Sequence, residues 1–202
     1  LNVAKNRGVD GIIIVGTYPG KNLDELRQML TQEKCVALGE IGLDYYYDLS
    51  PRDVQKKVME EQVELALDMD MPVIFHIRDA HGDMVDFFRS REKLPRGIIH
   101  CFSGSAEMGR EFIRLGYYLS LGGPVTFKNA RHAREVVASM DLNYLLSETD
   151  SPYMAPEPVR GTRNEPSNIP YIVAKMAECR NMETEAIAAQ IESNWHRFLE
   201  LK

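Results

Sequence analysis

The chain has 202 residues, 44% of them hydrophobic and 27% charged, the balance of an ordinary soluble globular domain rather than a fibrous or low-complexity chain. A formal charge of −6 and a pI near 5.4 exclude a protein that grips nucleic acid through bulk positive charge, so an anionic partner has to be met by a local basic patch or by bound cations. Three widely spaced cysteines without a CxxC pair (Cys35, Cys101, Cys179) exclude a disulfide framework and a thiolate zinc site and fit a reducing cytoplasm, and no stretch approaches the roughly 20 apolar residues that span a bilayer.

Short apolar runs of strand length alternate with helical patterns along the whole chain. "GIIIVG" (11 to 16) reads as the first strand and "NLDELRQMLTQ" as the helix after it. "CVALGEIG" (35 to 42) is the next strand, and it delivers a carboxylate, Glu40, where a buried strand should end. "SPRDVQKKVMEEQVELALDMD" follows as a long helix, with Ser50 as N-cap and Pro51 at the first helical position. Further strands are "MPVIFHI" (71 to 77), "GIIHCF" (97 to 102), "YYLSLGG" (117 to 123) and "YLLSETD" (144 to 150), separated by the helices "HGDMVDFFRSR", "SAEMGREFIRLG", which Gly116 stops, and "NARHAREVVASM". A proline-rich, arginine-bearing loop, "SPYMAPEPVRGTRNEPSN", leads to two closing helices over roughly 168 to 179 and 184 to 200. With no linker or repeat dividing it, the chain is expected to be one domain over residues 1–202 with no obligate protein partner.

Unalternating strands between helices are those of a parallel sheet covered on both faces, either open and doubly wound or closed into a (β/α)8 barrel. An open sheet would carry a glycine-rich phosphate loop after its first strand, but "VGTYPGKN" matches neither such pattern. Chemistry spread over the C-terminal ends of many strands is the mark of a barrel. Here Glu40, His76, His100 and Asp150 stand at equivalent places in four of these units, a ligand set of two imidazoles and two carboxylates suited to Zn²⁺, Mn²⁺ or a similar ion. A lone histidine at a strand end would read as a hydrogen-bonded core residue; four such residues on four strands argue for metal. The expected fold is therefore an α/β, TIM-like barrel of parallel strands. At about 31 residues per unit, 202 residues with two terminal helices hold six or seven units, short of eight.

The stretches "GEIGLDYY", "PVIFHIRDA", "HCFSGS", "GGPVTFKNA", "LLSETDSPYMAP" and "RGTRNEPSN", covering nearly everything from about residue 35 to 170, resemble the TatD family of metal-dependent deoxyribonucleases within the amidohydrolase-like barrels. The resemblance implies two divalent ions (Mg²⁺, Mn²⁺ or Zn²⁺) bridged by Glu40, with His76 and His100 completing one site. It gives Asp150 to the other, beside the attacking water, and makes Glu40 and Asp150 the catalytic pair. It implies 3′-5′ exonucleolytic hydrolysis of DNA phosphodiesters by a metal-activated water. Family members open with an HxH motif, and none of His76, His81, His100, His132 and His196 has that spacing. The first visible strand resembles the family's third, with Tyr18 where a histidine often stands, although "AKNRGVDGIIIVG" also resembles its second, so one or two strand–helix units are expected to be missing, from the N-terminus alone or partly from an internal stretch.

Smaller candidates surround this set. Arg78, two residues beyond His76, suits a substrate phosphate, or a salt bridge to Asp79 or Asp44. Arg160, Arg163 and Lys128 are further phosphate-binding candidates, against the alternative of a solvated charged loop. Ser103 is a candidate donor to substrate or, by accepting from a backbone N–H, a helix N-cap. Asp44 is a candidate acceptor behind a ligand or a turn cap, and Glu148, on the same strand face as Asp150, is placed behind the ligands. The "YYY" of 45 to 47 could stack on bases, or form an aromatic rim packing the barrel mouth. His81 and His132 are expected at the surface. Two other readings share the constellation: a metal-dependent hydrolase of carboxylic esters or amides, and an inactive, truncated barrel. Positive charge around the metal ligands favours the phosphodiester.

Overall fold

The computed structural model describes residues 23–33 and 35–199, which divide into two compact units. The strand expected over 11 to 16, with Tyr18, lies outside the described residues. Among the described residues no helix is long and apolar enough to cross a membrane.

The first unit runs to His100 and takes in residues 114–117. Its elements are α1 (Leu23–Leu30), β1 (Leu38–Asp44), α2 (Arg52–Asp68), β2 (Val73–Arg78), α3 (His81–Arg89) and β3 (Gly97–Ile99). The three strands pair parallel in the order β1, β2, β3, as strands joined by helical crossovers must. Met59, Val63 and Ala66 recur at four and three residues along α2, forming a buried stripe that packs on β1. On β2 the faces divide by the period of two: Val73, Phe75 and Ile77 point one way and Ile74, His76 and Arg78 the other. Phe75 stands edge-on to Phe88 and Tyr117, which stack on each other at 4.4 Å, so the first face is sealed by aromatic packing. The other face passes from buried Ile74 to half-buried His76 and Arg78. That gradient brings β2 out into its functional end.

Two expectations shift here. Ser50 is not the N-cap of α2: the helix starts at Arg52 behind Pro51, with no side-chain cap, and the Ser50 carbonyl accepts a hydrogen bond from Gln55 Nε2 at 2.9 Å. Strand β1 begins later and runs further than its apolar run suggests, to Asp44. The ladder starts where the Leu38 N–H meets the Pro72 carbonyl at 2.8 Å, and apolar Cys35 to Ala37 precede it unpaired in the sheet.

The second unit comprises 101–113 and the chain from Tyr118. It holds α4 (Ala106–Arg114, its last residue excepted), β4 (Tyr118–Leu121), α5 (Arg131–Ser139), β5 (Leu145–Ser147), α6 (Ile169–Arg180) and α7 (Thr184–Leu199), with short 3₁₀ turns at 123–126, 142–144 and 166–168. Strands β4 and β5 pair parallel, Leu119 opposite Leu145 and Leu121 opposite Ser147. Helix α7 is locked to the β5 entrance by buried Asn194, whose Nδ2 donates to the carbonyls of Leu142 and Leu145, each at 2.8 Å. The α4 N-terminus is capped by Ser105, whose Oγ accepts from the Met108 N–H at 3.4 Å; Ser103 is exposed and does not cap it.

Candidate metal centre

Glu40 is not at a strand end. It lies inside β1, and the register with β2 skips it: Gly39 faces Ile74, Ile41 faces Phe75, and Glu40 is the extra residue between them. Such a bulge re-aims one side chain out of the alternation. In this case it turns a carboxylate toward the imidazoles of the next two strand segments. His76 stands within β2; His100 follows β3, with its N–H donating to the Phe75 carbonyl at 2.9 Å, so the ladder continues through it. The Glu40 oxygens lie 3.8 Å from His76 Nδ1 and 3.5 Å from His100 Nε2, and the two rings are 6.4 Å apart. One donor atom from each of the three can be chosen so that all lie within 4.8 Å of one another.

These separations suit an ion. Tetrahedral ligands at about 2.1 Å from a metal lie about 3.4 Å from each other, close to both Glu40–histidine distances. Two imidazole nitrogens and a carboxylate are also the donors that Zn²⁺ and Mn²⁺ take. The support behind the cluster points the same way. His76 Nε2 lies 3.1 Å from Asp44 Oδ2, the carboxylate–imidazole pairing that fixes the tautomer and ring orientation of a metal-binding histidine. Asp44 Oδ1 accepts from the N–H groups of Tyr46 and Tyr47 at 3.0 and 2.9 Å. Partial burial pushes the Asp44 carboxyl up, but the Tyr47 N–H and His76, with the Tyr46 N–H, together hold it below the ordinary aspartate value. It is thus a charged acceptor, as the sequence reading allowed.

What the sequence did not reveal is Gln55. From the first turn of α2 its Oε1 accepts from the Asp44 N–H at 2.9 Å and its Nε2 donates to the Asp44 carbonyl at 3.2 Å, so one amide satisfies both backbone groups as a neighbouring strand would. No motif announces it, because a glutamine eleven residues away is legible only once the helix has folded back on the strand. Asp44→Asn is expected to keep the fold and weaken Mn²⁺ binding, measured by titration calorimetry, about 10- to 100-fold.

Asp150 and Glu148 belong to the second unit. Glu148 continues the β5 ladder, its N–H donating to the Leu121 carbonyl at 3.0 Å, and its side chain lies along Gly122. Asp150 has φ +56° and its carbonyl accepts from the Tyr153 N–H at 2.9 Å, which makes it the start of a tight turn. Asn164, 2% exposed, secures that turn: its Nδ2 donates to the carbonyls of Thr149 and Tyr153 at 2.6 and 2.7 Å, and its N–H to Pro152. Asn164→Ala keeps the backbone N–H but removes the side-chain amide, and with it the donor to Thr149 and Tyr153, from a buried site. It is expected to cost about 2–4 kcal/mol, read as a shift of the urea midpoint.

The remaining candidates separate by environment. Arg78 pairs with aromatic faces, its guanidinium carbon 3.8 Å from the Tyr46 ring centre and 4.8 Å from that of Tyr47. Arg160 lies 4.1 Å over the Phe127 ring with Glu157 at 3.8 Å, so it is held in its loop rather than merely solvated. Lys128, Arg163 and Ser103 are exposed. His132 is at the surface as expected, but His81 at the start of α3 is half-buried, and that burial pushes its pKa down against the pull of Asp79.

Residues 1–200 match the family model described as TatD related DNase. The chain belongs to the TatD family. Among TatD relatives it is 43% identical over 182 residues to the metal-dependent hydrolase YabD of Bacillus subtilis, covering 90% of this chain and 71% of that protein. It is 35% identical over 182 residues to YcfH of Escherichia coli K12, likewise named a metal-dependent hydrolase, covering 89% and 68%. The crystal structure of YjjV, a TatD homologue from Escherichia coli, superposes with a TM-score of 0.83 at 34% identity over 89% of this chain and 70% of that one. A TatD family hydrolase from Entamoeba histolytica, 23% identical over 87% of this chain and 67% of that one, shares the fold with a TM-score of 0.77. The chain therefore has the α/β, TIM-like barrel class of fold expected from its strand–helix alternation, and it is of the metal-dependent hydrolase type.

Proposed function

We propose that this chain hydrolyses phosphodiester bonds of DNA from the 3′ end, in the cytoplasm, with two divalent ions. The observation that carries the reading is the convergence of Glu40, His76 and His100 with Asp44 behind His76. Glu40, His76 and His100 would hold one ion. Asp150 would serve a second ion. Ions so bound lower the pKa of water and offset the charge that grows on phosphoryl oxygens. Asp150 would accept the proton that the attacking water gives up, and Glu40 would serve as a ligand. Asp44 keeps the His76 lone pair aimed at the cluster. Arg78, two residues beyond His76 on the same strand face, supports phosphate over a neutral ester or amide, since its fork of N–H donors matches phosphate oxygens. Lys128, Arg160, Arg163 and Ser103 are further candidate contacts for the strand. An acidic chain meets an anion in this way through ions and a few placed cations rather than through net charge.

The test uses 3′- and 5′-labelled oligonucleotides, with a carboxylic ester and an amide as controls, in Mg²⁺ and Mn²⁺. Stepwise shortening from the 3′ end that EDTA stops is expected. Hydrolysis of the ester or amide in place of DNA would overturn the phosphodiester assignment.

A further inference from the structure

We infer that Asn164 is a positioning residue for the hydrolysis. From the loop after β5 it fixes the backbone on both sides of Asp150, while Thr126 anchors the far arm of the same loop; this rests on the reading that gives Asp150 the proton of the attacking water.

Residue 150 has to be held. It leaves β5 at φ +56°, a left-handed conformation that aspartate tolerates, and Met154 repeats that conformation at φ +50°, where a side chain of its size is strained. Such conformations persist only where the surroundings over-determine them, and the angles at residue 150 set the direction in which its Cβ departs from the chain. Asn164 supplies the contacts. Its Nδ2 faces the Thr149 and Tyr153 carbonyls, which only accept, and its Oδ1 accepts from the Glu165 N–H and Asn168 Nδ2, each at 2.9 Å. The amide therefore fits in one orientation. With the Asn164 N–H on the Pro152 carbonyl, one buried residue ties residues 149, 152 and 153 together around Asp150.

The far arm is held separately. Beyond Tyr153 the chain lies so close on Gly123 that a Cβ there would sit 1.9 Å from the Met154 carbonyl oxygen. Buried Thr126 receives the Glu157 N–H on its Oγ1 at 2.9 Å, and the same hydroxyl donates to the Gly123 carbonyl at 2.7 Å. Arg134 of α5 in turn donates to the carbonyls of Val125, Thr126 and Phe127, so the turn that receives the loop is itself fixed. Residues 149–157 are thus tied at both ends.

The opposite end of β5 offers a matched comparison. Asn194 is also fully buried, and its Nδ2 also donates to two carbonyls, those of Leu142 and Leu145 where the strand begins. The two amides make the same kind of bond and differ in which end of the strand they hold. In folds of this class the reacting groups stand at the C-terminal ends of the strands, which is the Asn164 end. Loss of Asn194 should therefore cost stability alone, and loss of Asn164 should cost stability and rate.

The experiment measures kcat and KM for the 3′-labelled oligonucleotide in saturating Mn²⁺, beside urea midpoints, using the whole chain. Asn164→Ala and Asn194→Ala are both expected to lower the urea midpoint, but only Asn164→Ala should lower kcat, by about 10²-fold with KM unchanged. Thr126→Val should lower kcat by a smaller factor, and Thr126→Ser, which keeps the hydroxyl, should not. Added to Asp150→Ala, Asn164→Ala should reduce the residual rate little further, because it acts through that carboxylate. Wild-type kcat in folded Asn164→Ala, an equal loss of kcat in Asn194→Ala, or a loss that adds in full to that of Asp150→Ala would each overturn the positioning role and leave the phosphodiesterase reading standing. If Asn164→Ala does not fold, the Thr126 pair decides, and wild-type kcat in Thr126→Val overturns the inference. A wild-type chain that cuts no oligonucleotide would overturn both.

Discussion

Glu40→Ala is expected to abolish the hydrolase activity, with kcat/KM on the proposed DNA substrate falling by about 10³-fold or more. Glu40 is the residue common to both close contacts in the cluster, 3.8 Å from His76 and 3.5 Å from His100, so its loss leaves two imidazoles without the anion that makes their site attractive to a cation. A metal ion supplies several kcal/mol of charge stabilisation to a phosphoryl transition state, and each 1.36 kcal/mol is tenfold in rate. The fold should survive: Glu40 is the bulged residue, outside the regular pairing of β1 with β2, and its side chain is not part of the apolar core. The measurements are cleavage of a 3′-labelled oligonucleotide, Mn²⁺ binding by calorimetry, and a melting curve. Unchanged cleavage with a normal melt would remove Glu40 from the mechanism.

Gly42→Ala is expected to be the most damaging small substitution in this part of the chain. Gly42 faces His76 in the register of β1 with β2, at φ +148°, where residues with a side chain are strained. A Cβ there would sit 2.0 Å from the His76 carbonyl oxygen, far inside contact distance, and the obstacle is backbone that cannot rotate away. The strands must part at the residue that carries the ligand. Backbone strain of 1–3 kcal/mol and the broken pairing together should cost about 4 kcal/mol or more, a melting temperature lower by about 8–16 °C for a chain of this size. Metal affinity should fall with it. A stable Gly42→Ala protein that binds Mn²⁺ normally would show that β1 and β2 are not paired in this register.

The helices were legible to within two residues because their signal is local: a 3.6-residue apolar period and terminal punctuation such as Gly116, which takes φ +89° just beyond α4. The strand of Glu40 was legible in existence and misjudged in extent. Its apolar run begins at Cys35, whereas pairing begins at Leu38 and continues past the glycines to Asp44. Apolarity reports burial, but a strand is defined by the neighbour it bonds, and that neighbour lies more than thirty residues away. For the same reason Glu40 looked like a terminus when it is a bulge.

By itself the sequence determined the strand–helix alternation, and with it the α/β class. It also named Glu40, His76, His100 and Asp150 as the side chains capable of metal chemistry, because residue type and periodicity are written locally. Only the tertiary structure decided that Glu40 turns toward two imidazoles, that Asp44 stands behind His76, and that the Gln55 amide holds Asp44 from a helix. It alone divided three identical tyrosines into one fastener and two exposed rings. Each of those outcomes depends on the register between elements distant in sequence, which sets which atoms come within hydrogen-bonding reach.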